Sequence, residues 1–217
     1  MRKLVIKIFD IIFLNFLKNK KLKTFLMRRI EKDHISRSID LLKSLNLSDF
    51  IIVDVGACKG EENDTTRRFS RAFPKAEILA FEPFPESYKK LAENAKNIGN
   101  IKTFNIALSD YTGDNKLFVT NTVSSSSLLE INRAELDKLS PDFSNSLKTA
   151  GNFEIVKVDR LDNIISDKNI GILKIDTQGS ELNVLKGSEN NLKNAVIILL
   201  ECSNHKTYKN SSKYYEI

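Results

Sequence analysis

Apolar residues crowd the start of the chain without the alternation of a half-buried strand. Residues 4–17 read Leu-Val-Ile-Lys-Ile-Phe-Asp-Ile-Ile-Phe-Leu-Asn-Phe-Leu, interrupted only by Lys7, Asp10 and Asn15. That density predicts a short helix with a broad apolar face. Phe25, Leu26, Ile30, Ile35, Ile39, Leu42 and Leu45 then recur at helical spacing and predict one or two further helices over 24–47. Asn46 and Asp49 break that pattern. A different regime begins at Phe50, which divides the chain into a helical extension, 1–49, and a body, 50–217.

In the body, short continuous apolar runs alternate with amphipathic ones. Ile51–Val55, Gly171–Asp176 and Ala195–Glu201 read as parallel strands buried on both faces, and Glu77–Phe81 and Ile101–Leu108 as two more strands. Thr65–Phe73 reads as a helix stopped by Pro74. Pro85–Lys96 is another, with Tyr88, Leu91, Ala92 and Ala95 on one face, and Glu181–Leu185 opens a third. Asp110–Asp114 is a turn, after which Lys116–Thr120 returns as an antiparallel strand. Asn121–Ser127 is a polar loop, 128–150 is helix and loop, and Ile155–Asp159 alternates as a half-exposed strand. Strands alternating with helices predict an α/β fold with a mostly parallel sheet.

Charge sharpens the division. Residues 1–50 carry twelve Lys and Arg against five Asp and Glu, a net +7, whereas the whole chain of 217 residues is +6. The body is therefore near neutral, which argues against nucleic acid as a partner. The basic start with a short apolar run imitates a signal peptide, but the run holds two charges and no small-residue cleavage site follows. A cytoplasmic location is therefore the expectation. Two readings of the first segment stay open: a helix packed on the body or on a partner, and a helix of residues 1–23 lying at the inner face of an anionic membrane. Two cysteines and two histidines, all scattered, predict neither a disulfide framework nor a metal site.

In doubly wound folds ligands bind beyond the carboxyl ends of the strands. After the first body strand stands Asp54-Val-Gly56-Ala57-Cys58-Lys-Gly60. Its glycines let the backbone approach a ligand. The nicotinamide fingerprint is absent, and Glu61 and Glu62 oppose a polyphosphate, so a ligand with a positive centre fits better. Glu82 ends the second strand, where an acid can accept hydrogen bonds from vicinal ribose hydroxyls. After the third strand Asn105-Ile-Ala107-Leu108-Ser-Asp110 offers a polar and apolar mix suited to an adenine. A glycine pair followed by an acid at the next strand end is the layout of an S-adenosylmethionine site.

These residues carry a resemblance. Ile52-Val-Asp54-Val-Gly56-Ala, Phe73-Pro74 and Ala80-Phe81-Glu82-Pro83 resemble the FkbM family of S-adenosylmethionine-dependent methyltransferases. So do Asn105–Asp110, Ser124–Ser127 before Leu128-Leu129, Val158–Asp162, Val184–Gly187 and, most specifically, Leu173-Lys-Ile-Asp176-Thr-Gln178-Gly-Ser-Glu181-Leu182. The resemblance spans roughly 50–217. It implies a Rossmann-like sheet of order 3-2-1-4-5 and methylation of a hydroxyl, often on a sugar or polyketide. Carried onto this chain, Asp54, Gly56, Ala57 and Gly60 wrap the methionine end of the cofactor. Glu82 binds the ribose with Pro83 and Phe84 beside it, Ala107 and Leu108 lie near the adenine, and Asp176 faces the methyl group.

A sugar hydroxyl is a weak nucleophile, so a base must take its proton as the new bond forms. Asp176 is the leading candidate, followed by Glu201 and His205; the competing reading makes Asp176 a cap for the helix near Ser180. Gln178 and Glu181 become substrate contacts or supports. Ser124–Ser127 is either a lid or a flexible loop, Cys58 a small packing residue, and His34 a surface residue. The segment Gly60–Phe73 is a few residues longer than the family pattern. Only sixteen residues follow Glu201, too few for the closing hairpin of such a sheet. The C-terminal hairpin is therefore expected to be truncated, which leaves the fifth strand a bare apolar edge prone to self-association. The rival functions are an oxidoreductase, which lacks its fingerprint, a nucleic-acid methyltransferase, which lacks the Asn/Asp-Pro-Pro-aromatic motif, and a non-catalytic nucleotide-binding relic.

Overall fold

The structure is a computed structural model that describes residues 4–7, 34–139, 147 and 149–217. Its strands are β1 (Leu4–Lys7), β2 (Ile51–Val55), β3 (Glu77–Phe81), β4 (Ile101–Phe104), β5 (Ala107–Leu108), β6 (Gly113–Thr120), β7 (Thr149–Asp159), β8 (Ile170–Ile175) and β9 (Ala195–Leu200). The helices are α1 (34–44), α2 (Thr65–Ala72), α3 (Pro85–Ala95), α4 (Arg133–Leu139), α5 (Leu161–Ile164), α6 (Glu181–Lys186) and α7 (Glu189–Leu192).

Six strands form one parallel sheet in the order β1-β9-β8-β2-β3-β4. Every residue of β2 and β8 is buried, the charged Asp54 and Lys174 included, as strands covered by helices on both faces require. Side chains divide by the two-residue period of a strand. Val53, Val55, Leu79, Phe81, Leu173 and Ile175 pack on one side with Leu161, Ile165 and Val184. Ile52, Ile78, Ile172, Ile197 and Leu199 pack on the other with Ile35, Ile39 and Leu42 of α1 and Phe69 of α2. Pro85 at the first turn of α3 starts that helix with its φ already fixed, and Leu91 and Ala95 face inward.

A second sheet, β5-β7-β6, stands over the carboxyl end of the first. β6 runs antiparallel to β7, and Leu117, Val156, Val158 and Ala107 fill its inner face with Phe84 and Leu128 against them.

The body strands take the expected order 3-2-1-4-5. Several other expectations are corrected. Leu4–Lys7 is a strand, not the start of a helix, and pairs in parallel with β9 from Leu4↔Ile197 to Lys7↔Leu200. The fifth body strand is therefore covered, and the bare edge and the self-association argued from it fall away. The rest of the apolar run, with the expected membrane contact through residues 1–23, lies outside the described residues apart from this strand. Among the described residues no helix is long and apolar enough to cross a membrane. The single strand expected over 101–108 splits in two, because Asn105 turns to donate its amide to the carbonyls of Glu82 and Pro83 at 2.9 and 3.0 Å. His34 is buried rather than a surface residue, since it opens the helix that lies on the sheet. The tail after β9 holds a bridge between Ile131 and Tyr208 and one 3-10 turn, Tyr214–Glu216.

Candidate active site

Parallel register brings the candidate residues into line. Val55 pairs with both Phe81 and Ile175, Phe81 with Phe104, and Ile175 with Leu200. The residues that follow, Asn105, Glu82, Gly56, Asp176 and Glu201, stand in that order along one edge of the sheet. Glu82 and Asp176 are two strands apart, roughly 10 Å at ordinary strand spacing. The second sheet roofs this edge and leaves a cleft of about 690 Å³, counting its open mouth. Gly56, Cys58, Glu82, Pro83, Ile106, Ala107, Leu108, Leu117, Asp176 and Gln178 are among its walls, with Val123, Ser124, Ser126, Ser127 and Leu128 opposite.

The glycine loop is stitched to the end of β3. The N–H groups of Gly56 and Ala57 both donate to the Phe81 carbonyl at 3.0 Å, and that of Cys58 donates to Glu82 Oε2 at 2.9 Å. Gly56 (φ +78°) is in the left-handed region. Glu82 accepts a second bond on Oε1 from the Phe84 N–H at 2.9 Å. Each carboxylate oxygen thus keeps acceptor capacity toward the cleft. Burial pushes Glu82 up to about 7, against the lowering effect of those two N–H groups. A buried acid short of donors, beside the apolar wall of Ile106, Ala107 and Leu108, fits a nucleoside that offers two hydroxyls and a flat base. The two cleft carboxylates, Glu82 and Asp176, also suit a ligand with a positive centre.

Asp54 lies beneath the loop and does not form part of the cleft wall. It is fully buried, accepts Thr66 Oγ1 at 2.6 Å and forms an ion pair with Lys174 Nζ at 3.1 Å. Lys174 also donates to the Gly56 carbonyl at 3.0 Å and reaches Asp176 Oδ2 at 3.6 Å. Burial works to lower its pKa, and the charges of Asp54 and Asp176 outweigh burial and hold it well above the usual lysine range. Ala57 packs on Ala80 and Leu91, and Gly60 abuts Leu91, so both shape the loop from behind.

Asp176 does not cap the helix near Ser180. No side chain caps that helix; Glu181, its first residue, turns back instead, and its Oε1 accepts the N–H groups of Thr177 and Gly179 in the preceding loop, both at 3.0 Å, and the Thr177 hydroxyl at 3.2 Å. Asp176 is left facing the cleft, with Oδ1 accepting from Gln178 Nε2 at 2.7 Å. Glu201 stands next along the sheet edge but outside the cleft wall. His205 lies four residues further on, its N–H turned to Ser203 Oγ at 3.0 Å. The serine run is contacted on both sides. Ser127 pairs with Phe118 of β6, and its Oγ donates to the Gln178 carbonyl at 2.9 Å. Burial, and next the charge of Glu82, push the Cys58 thiol up, away from the thiolate that a nucleophile needs.

Sequence reading missed two residues here. Lys174 stands in the fourth-strand motif without a role, although a lysine in a buried strand signals a paired charge. Tyr208, 4% exposed, ties the tail to the serine run through its hydroxyl, 2.7 Å from the Ser125 carbonyl; nothing local in the sequence marks it.

Comparison with known proteins bears on the same residues. The 2-O-methyltransferase NoeI of Sinorhizobium fredii is 26% identical over 184 residues, covering 78% of this chain and 70% of that protein. The hexuronic acid methyltransferase AglP of Haloferax volcanii is 27% identical over 128 residues, covering 58% of this chain and 47% of that protein. No solved structure matches significantly. The Methyltransferase FkbM domain matches residues 54–217, from the buried Asp54 through the glycine loop, Glu82 and Asp176 to the tail that carries Tyr208, and the chain belongs to that family of methyltransferases.

Proposed function

We propose that this protein transfers a methyl group from S-adenosylmethionine to a hydroxyl of a sugar or glycan. The observation that carries the reading is the alignment of Glu82 and Asp176 on either side of Gly56 in one roofed cleft. Glu82 would hold the ribose hydroxyls, the loop from Gly56 to Gly60 the methionine end, and Ile106, Ala107 and Leu108 the adenine. When bound, the cofactor supplies an electrophilic methyl group. The chain's own task is alignment and the exclusion of water, which lower most of the barrier to an in-line displacement. Asp176 accepts the acceptor hydroxyl's proton. The names of NoeI and AglP support a sugar as the acceptor.

The test is to incubate the protein with methyl-labelled S-adenosylmethionine and a panel of neutral and acidic oligosaccharides. Label in a sugar methyl ether is the expected outcome. Cofactor binding without transfer to any hydroxylated acceptor would favour the non-catalytic reading.

A further inference from the structure

Beside Asp176, two acceptors meet with one hydrogen between them. The Tyr208 hydroxyl donates to the Ser125 carbonyl at 2.7 Å and stands 3.4 Å from Gln178 Oε1. A phenol carries a single proton. With that proton turned to Ser125, Tyr208 Oη and Gln178 Oε1 face each other as acceptors. At the other end of the amide, Gln178 Nε2 donates to Asp176 Oδ1 at 2.7 Å. The amide is well satisfied at nitrogen and poorly at oxygen.

Half a turn of the amide exchanges those atoms. Nε2 then donates to Tyr208 Oη, and Oε1 faces Asp176. Against an ionised Asp176 this brings two acceptors together and is unfavourable. Against a protonated Asp176 every group is paired: the carboxyl O–H donates to Gln178 Oε1, Gln178 Nε2–H to Tyr208 Oη, and Tyr208 O–H to Ser125. The turn needs no movement of the backbone. Ser127 Oγ fixes the Gln178 carbonyl, Glu181 fixes Thr177 and Gly179, and Gln178 itself sits at φ +57°.

We infer that Gln178 and Tyr208 are positioning residues that satisfy Asp176 in both protonation states, by a turn of the Gln178 amide between Asp176 and Tyr208. The inference rests on the proposed role of Asp176. There the acceptor's O–H bond breaks, its proton passes to a carboxylate oxygen, and the freed electron pair forms the oxygen–carbon bond while the carbon–sulfur pair leaves with sulfur. Other groups facing Asp176 are Lys174 on β8, Asp54 beyond it on β2, Glu82 after β3, Glu181 on α6 and Glu201 after β9. They are unchanged in the variants below and form a common background.

The two ends of the relay predict opposite shifts. Tyr208→Phe removes the oxygen that receives Nε2 and penalises protonated Asp176, so its titration should move down. Gln178→Met removes a partner from both forms of Asp176, and because the bond to the ionised form is charge-assisted and the stronger of the two, its titration should still move up. The sign of each shift is read by carboxyl carbon NMR in the cofactor-free protein. The acid limb of kcat at saturating cofactor should follow, with the cofactor KM unchanged. Shifts of the same sign, or none, in folded variants would overturn the relay; should Gln178→Met fail to fold, the downward shift in Tyr208→Phe decides alone. An active Asp176→Asn with these shifts present removes the base reading and leaves the hydrogen-bond relay. An inactive Asp176→Asn with no shifts does the reverse.

Discussion

A methyl group on the Cα of Gly56 would lie 1.9 Å from the carbonyl oxygen of Asp176. The cofactor-side loop and the candidate base are thus carried on backbones in direct contact. Gly56 also has φ +78°, where an L residue is strained. Gly56→Ala should lose on the order of 2–4 kcal/mol, combining strain with overpacking. Denaturant unfolding measures it, and a variant of unchanged midpoint would show that the two strand ends can part freely.

Much of this site could be read from sequence because it depends on strand ends. Gly56, Glu82 and Asp176 each follow a short, mostly apolar strand, and parallel pairing places such positions side by side. What escaped depends on contacts across long stretches of chain. The split at Asn105, the pairing of β1 with β9, and the seat of Tyr208 beneath the serine run are tertiary, and no local period encodes them. The apolar run at 4–17 misleads for a physical reason: an edge strand against a buried strand and an apolar helix face need the same residues.

Glu82 predicts a pH-dependent affinity. Burial holds it up to about 7, above its unfolded value, so the folded protein binds more protons between about 4.5 and 7. Stability from this group is fully present below that window and is lost as pH rises through it. Cofactor binding has the opposite sign, because the ionised form accepts ribose hydroxyls better. Calorimetry should show affinity falling as pH drops below about 7, with proton release on binding near that pH. Glu82→Ala should weaken binding by about 1–3 kcal/mol and abolish the proton release. Equal affinity across that range in the wild type would count against the ribose assignment.

Asp176→Asn keeps the shape of the side chain and removes its basicity. Cofactor affinity should stay near wild type while the transfer rate falls by about 10²–10⁴. Single-turnover measurements with saturating acceptor separate this from slow product release. A rate within a few-fold of wild type would leave Asp176 an orienting group at most.

β1 predicts a role for the first residues in solubility. Its pairing covers the outer N–H and C=O groups of β9, whose six residues are all apolar. Removing residues 1–7 uncovers that edge, a template for pairing with another chain. Light scattering should show concentration-dependent association of the shortened protein and a monodisperse full chain. Identical behaviour of the two would mean that β9 needs no cover.

Lys174 gives the sharpest energetic test. It is 8% exposed, and Asp54 across from it is fully buried. Their 3.1 Å contact is an ion pair, and Asp54 Oδ1 makes no other hydrogen bond among the described residues. Removing one partner leaves a buried charge uncompensated, so Lys174→Met should cost about 3–5 kcal/mol. Removing both charges need not: Lys174→Met with Asp54→Asn should recover much of that loss, since Asn still accepts the Thr66 hydroxyl. The raised pKa of Lys174 lies far above neutrality, so its contribution stays constant through the neutral range and is lost only in strong base. A double-mutant cycle at neutral pH isolates the pair. Simple additivity of the two substitutions would mean that the charges are screened from each other, and that the Gly56 loop is held by its backbone bonds to Phe81 instead.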